Sequence, residues 1–387
     1  MAGGEGIPGA PGNGETLAHL LARRILLDGP LSVGAFMAEA LGHPRLGYYM
    51  RQDPFGVGGD FTTAPEISQM FGELVGLWCA ESWARLGGPG PFHLVEVGPG
   101  RGTLMADLLR AAAVLPLFRD NATVHLVETS PVLRERQRQT LQPLLGDALR
   151  WHDRLEEVPD GPTILVANEF FDALPIRQVQ KTAHGWFERL VDIDPAGSAE
   201  EPRFRFVLEA FGSSGSRLVP DALRDQPDGS VVEVSPASQA VARAIGARLA
   251  AAPGAALLID YGYAYGPVAG DTLQAVRRHA FAPVLDAPGE ADLTAHVDFA
   301  AIAAAAREGG AESFGPVEQG EWLCRLGIRE RAAALSAKAT PAQARDIRAA
   351  LDRLIDPAQM GRLFKLIALA SPGAFARETP PAGFETP

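Results

Sequence analysis

The sequence predicts an α/β fold in which helices cover both faces of a mostly parallel sheet. Three observations carry that reading. Strand-like and helix-like segments alternate from residue 92 onward, the pattern of consecutive βαβ units. Where the first strand meets its helix stands a glycine-rich turn, Gly98-Pro99-Gly100-Arg101-Gly102, a junction at which such folds bring backbone close to a ligand. The chain also has the bulk: 387 residues, 47% hydrophobic and 21% charged, describe a globular chain with a substantial core.

Residues 1–15, "MAGGEGIPGAPGNGE", are rich in Gly and Pro and lack a basic residue. They read as a flexible lead without the marks of a signal or transit peptide. An extension over residues 16–90 follows, expected to cover the ligand site. In it, "TLAHLLARRILLDGPLSVGAFMAEAL" gives two short amphipathic helices broken at Gly29-Pro30. "GHPRLGYYMRQDPFGVGGDFTTAP" is a long loop whose aromatics speak for function over disorder. "EISQMFGELVGLWCAESWARL" is a helix with Pro65 just before it.

The core is expected over 91–330. "FHLVEVG", "ATVHLVET", "ALRWHD" and "TILVANE" read as strands, with "TLMADLLRAAAVL" and "SPVLRERQRQTLQPLL" as helices between them. "RQVQKTAHGWFERLVDI" and "PRFRFVLEAF" read as the arms of an inserted substrate-side hairpin within 180–230. "VVEVSPASQAVARAIGARLAAAPGAALLIDYGY" resumes the βαβ rhythm, and residues 331–387 read as a helical C-terminal segment.

A net charge of −12 argues against a nucleic-acid partner, which needs a basic surface. Cys79 and Cys324 are the two cysteines, so a disulfide framework is not expected and a reducing compartment suits the chain. Scattered histidines give no metal-ligand spacing. No apolar run reaches the length of a membrane span. The expectation is a cytoplasmic bacterial protein without membrane insertion, and a homo-oligomer is compatible with it.

Gly98, Gly100 and Gly102 let the chain turn sharply ahead of a helix whose first N–H groups are free. Glu128, at the end of the next strand, stands where a carboxylate accepts both hydroxyls of a ribose. Together they point to an adenosine-type cofactor. Glu96, two residues before Gly98, would repel a pyrophosphate and favour an ammonium or sulfonium group. That contrast selects S-adenosylmethionine (SAM) over a nicotinamide dinucleotide. Asp153, after the third strand, can take the adenine amino group, or is equally a turn acid.

At "HPRLGYYM", "DPFGVGGDFTTAPEISQMFGELVGLW", "LVEVGPGRGTL", "NEFFDALPIRQ", "GEADLTAHVDF", "QGEWLCRLGI" and "MGRLFKL" the chain resembles the MidA-like family of class I SAM-dependent methyltransferases. That family includes the mitochondrial complex I assembly methyltransferase. The resemblance runs from about residue 30 to about 370 and is weakest over 190–230. It implies a Rossmann-like seven-strand core with added helices, SAM as cofactor, and methyl transfer to arginine of a protein. A respiratory complex I core subunit is the substrate it suggests.

An arginine substrate gives meaning to the strand mouth "ANEFFDALP". A guanidinium is always charged, and its delocalisation makes it a poor nucleophile. Glu169 and Asp172 are expected to grip it through charge-assisted hydrogen bonds, with Asn168 adding an amide and Phe170 and Phe171 walling the site. These acids are otherwise the first-turn acids of a helix capped by Asn168. Asp60, Phe61, Thr63 and Gln69 belong to an arm expected to fold over SAM, with Phe61 covering the ligand. His296 is a candidate proton acceptor or a helix-cap histidine. Competing readings are a SAM-binding assembly chaperone without turnover, a methyltransferase acting on another nucleophile, and a nicotinamide dehydrogenase.

Overall fold

The computed structural model describes residues 16–51, 53, 63–210 and 215–385. Its main sheet contains β1 (Phe92–Val97), β2 (Ala122–Val127), β3 (Leu149–His152), β4 (Thr163–Asn168), β5 (Gly254–Tyr263), β6 (Glu312–Glu318) and β7 (Phe364–Ala370). They lie in the order β6-β7-β5-β4-β1-β2-β3. Strands β1 to β5 run parallel to one another, and β7 is antiparallel to both β5 and β6. The chain leaves β1 toward one edge and returns through β4 toward the other. Adjacent β1 and β4 therefore open a crevice at their carboxyl ends, where such sheets bind ligands.

Strand side chains alternate between two apolar clusters, which is why these strands read as continuous hydrophobic runs. Leu94, Ile164 and Leu257 pack on one face, and Val95, Leu165 and Leu258 on the other. The extension supplies α1 (Leu17–Asp28), α2 (Val33–Gly42) and α3 (Gln69–Arg85); the sheet adds α4 (Thr103–Ala112), α5 (Pro131–Leu145), α6 (Pro236–Ala251) and α7 (Phe299–Glu308). Helix α3 packs along α4, and α6 along α7. Sequence sets several starts. Ser130 and Ser235 accept hydrogen bonds as N-caps ahead of Pro131 and Pro236, the residue order that favours helix initiation.

Three segments differ from expectation. The first arm of the inserted hairpin folds on itself: Arg177–Thr182 pairs antiparallel with Gly185–Ile193, which pairs with Phe204–Leu208. The strand Val231–Val234 joins this side sheet and not the main one, so no βαβ unit forms there. The C-terminal segment is not helical throughout, because Phe364–Ala370 is fully buried as β7 between β5 and β6. Among the described residues no helix is long and apolar enough to cross a membrane.

The register also builds a diagonal ladder of histidines across β1, β2 and β3. His93 Nδ1 meets His125 Nε2 at 2.9 Å, and His125 Nδ1 meets His152 Nε2 at 2.9 Å. Burial lowers the pKa of all three, that of His125 to about 3. An unfolded histidine titrates near 6.5, so below that pH the unfolded chain binds protons the ladder refuses, and the ladder's contribution falls with pH. The stability difference between wild type and His125→Gln should therefore shrink by roughly 1 kcal/mol from pH 7.5 to 5, after allowing for screening near the strand ends. Thermal denaturation at both pH values checks this; a constant difference refutes it.

Candidate active site

A cavity of about 560 Å³ opens at the β1/β4 crevice, lined by Gly98, Gly100, Glu128, Asp153, Glu169 and Phe170 among others. Its size is that of an ordinary cofactor site. A second cavity of about 40 Å³, lined by Thr63, Glu96, Arg101, Asn168 and Glu169, adjoins the same glycine turn. Gly98, Gly100 and Glu169 line both.

The glycine turn is held in left-handed backbone, with φ of +66° at Gly98, +51° at Gly100 and +80° at Gly102. Gly102 lines neither cavity. It precedes α4, and a Cβ there would sit 3.1 Å from Leu141, so it packs closely against α5. Glu96 is buried, and its Oε2 has no partner; burial raises its pKa to about 8. Asn168 donates to Glu169 Oε1 at 3.0 Å, while its own Oδ1 is buried and unpartnered.

Two orphaned acceptors beside a glycine turn suit a small cationic group. Glu128 Oε1 accepts from the Ser130 N–H at 2.8 Å and Oε2 from Gln137 at 3.2 Å, leaving lone pairs for the large cavity. Asp153 is paired with Arg134 at 2.6 Å, so less of its charge is available to a ligand than the sequence suggested. Cavity size, orphaned acceptors and strand-end acid together fit an S-adenosyl group.

The expected acid pair is divided. Glu169, itself at φ +50°, accepts from the Ala64 N–H at 3.1 Å. Burial lifts its pKa to about 7, and the Asp172 charge adds to the rise. Asp172 lines neither cavity and takes a hydrogen bond from Tyr261; burial raises it to about 6. The turn that carries both acids is held by Asp260, which the sequence reading missed. Its Oδ2 accepts the N–H groups of Phe170, Phe171 and Asp172 at 3.2, 2.9 and 3.2 Å, fixing the turn's backbone. Nothing local marks Asp260, which lies 88 residues from Asp172.

His296 also lines neither cavity. It packs against the rings of Tyr261 and Tyr263, and burial lowers its pKa. Asp60 and Phe61 lie outside the described residues. Of the arm, Thr63 lines the small cavity, whereas Gln69 is exposed at the start of α3. The arm is tied to the glycine turn by Arg101 to Asp53 at 2.9 Å and Thr103 to Glu66 at 2.5 Å.

Residues 74–317 match a family described as S-adenosyl-L-methionine-dependent methyltransferases. A mitochondrial protein arginine methyltransferase NDUFAF7 homolog from Drosophila melanogaster is 40% identical, covering 93% of this chain and 86% of the relative. The chain belongs to the MidA-like methyltransferase family. The human protein arginine methyltransferase NDUFAF7 is 38% identical, covering 91% of this chain and 82% of that one. The crystal structure of a Burkholderia thailandensis protein bound to S-adenosyl-homocysteine superposes with a TM-score of 0.79 at 35% identity. It covers 93% of this chain and 94% of its own. The class I methyltransferase fold is thereby established for this MidA-like chain, and its cofactor is S-adenosyl-L-methionine.

Proposed function

We propose that this chain methylates a guanidinium nitrogen of arginine in a protein, and that its target is a subunit of respiratory complex I. The relatives named protein arginine methyltransferase support the first part. The observation that carries it is Glu169, a half-buried carboxyl on the shared wall of both cavities. Desolvation and the neighbouring charge of Asp172 raise its pKa, and Arg353 offsets them only in part. A carboxylate with that balance is costly to ionise, and a guanidinium entering beside Glu169 offsets the cost.

The bound cofactor supplies the methyl group; the residues position and neutralise. Glu96 and Asn168 offer their free oxygens to the amino end of the cofactor. Glu128 takes the ribose, and Asp153 borders the adenine end. Residues 63–67 border this end of the site, anchored through the Ala64 N–H on Glu169. Glu169 holds the guanidinium plane. It also takes the proton that the methylated nitrogen sheds, for which a pKa near neutrality is suited. Asp172 and Asp260 set the turn and the field around it. His296 has no part in this scheme.

The test is incubation with methyl-labelled SAM and an extract from cells lacking the protein, followed by acid hydrolysis. Label on arginine is expected, with complex I subunits carrying it by mass spectrometry. Label on lysine or on a small molecule overturns the substrate; labelled arginine outside complex I overturns the target alone.

A further inference from the structure

The residue that holds the donor end of the site together is not one of the acids but Gln137, wholly buried on α5. Its amide meets three elements at once. Nε2 donates to the Gly100 carbonyl at 2.7 Å and to Glu128 Oε2 at 3.2 Å. Oε1 accepts from the Trp151 indole at 2.9 Å. The indole N–H can only donate, so Oε1 must face it and both amide hydrogens must face the turn and the carboxylate. The orientation is thus fixed from outside the site, and all of the amide's polar atoms are used.

We infer that Gln137 is the positioning residue for the ribose-binding carboxylate. It aims Glu128 and sets the glycine turn at a fixed spacing from it. The Ser130 N–H holds the other oxygen, so the carboxylate plane is pinned from both sides. Without Gln137, Glu128 keeps its charge but loses the contact that fixes its angle, and directional hydrogen bonding to two hydroxyls weakens first. The effect acts through Glu128 and so rests on its ribose role.

The experiment is calorimetric titration of S-adenosylhomocysteine and its 2′-deoxy analogue into wild type, Gln137→Met and Gln137→Glu. Wild type is expected to favour the ribose form by about tenfold or more, the worth of a hydrogen bond to a charged group. In Gln137→Met the preference should fall to within about threefold, even where the melting temperature is little changed. In Gln137→Glu it should be lost at pH 8 and partly recovered at pH 6, as the new carboxyl regains a proton to donate. A wild type that does not discriminate overturns the ribose role of Glu128 itself. A wild type that discriminates, with either folded variant keeping the full preference at pH 8, overturns the inference about Gln137 alone.

Discussion

Glu169→Gln is expected to lower the methyl-transfer rate by about 10² to 10³-fold, the usual effect of removing one preorganised electrostatic contact from a reacting centre. The substitution keeps length and shape. A glutamine carbonyl can still accept the Ala64 N–H and the Asn168 amide that the carboxylate accepts now. What disappears is the charge facing the guanidinium and the site for its proton. Binding of S-adenosylhomocysteine should change by less than about fivefold, since the residues proposed for that ligand are untouched. Single-turnover kinetics with titration calorimetry separate the two. A variant that turns over at the wild-type rate would remove Glu169 from the chemistry.

The same residue sets a pH dependence with a definite sign. Burial holds its pKa near 7, above the ordinary carboxylate range, so the ionised form fills in as pH rises through that value. Turnover with limiting substrate should climb from pH 6 to 8 and level off, and the climb should vanish in Glu169→Gln.

Much of this was legible in the residues. The alternation after residue 92 gave β1 to β4 and the helices between them, because period and turn residues agree there. Glycines before a helix and acids at strand ends placed Gly98, Gly100, Glu128 and Glu169 on one crevice. The unread parts share a physical reason: each depends on register between distant strands or on a contact with no local mark. β7 is seven buried residues, "FKLIALA", a run too short for periodicity to separate strand from helix. The His93–His125–His152 ladder exists only once β1, β2 and β3 are aligned. Spacing placed Glu169 and Asp172 together, whereas only Glu169 borders the cavities, and Asp260 of β5 holds the turn between them. Gln137 reads as one polar residue of a surface helix until α5 is laid against the glycine turn.

Gly98→Val is expected to reduce affinity for S-adenosylhomocysteine by about 100-fold or more and to leave no measurable turnover. Two independent costs meet at this residue. Its φ of +66° is a region that β-branched residues essentially do not enter, at about 1 to 3 kcal/mol for the strain. A Cβ there would also lie 2.9 Å from the Phe170 ring, and Phe170 is next to Glu169. Relief of either cost moves the turn or the ring into a cavity, since Gly98 borders both.

Gly102→Ala separates this from a general loss of stability. That position is equally left-handed, at φ +80°, and a Cβ would be 3.1 Å from Leu141, yet it borders neither cavity. It should lower the melting temperature while binding stays within about threefold, the strain being spent on α4 packing. Calorimetry and thermal melts on both variants decide the matter. If the two lose affinity alike, the turn acts as one structural unit, and Gly98 holds no special place at the ligand.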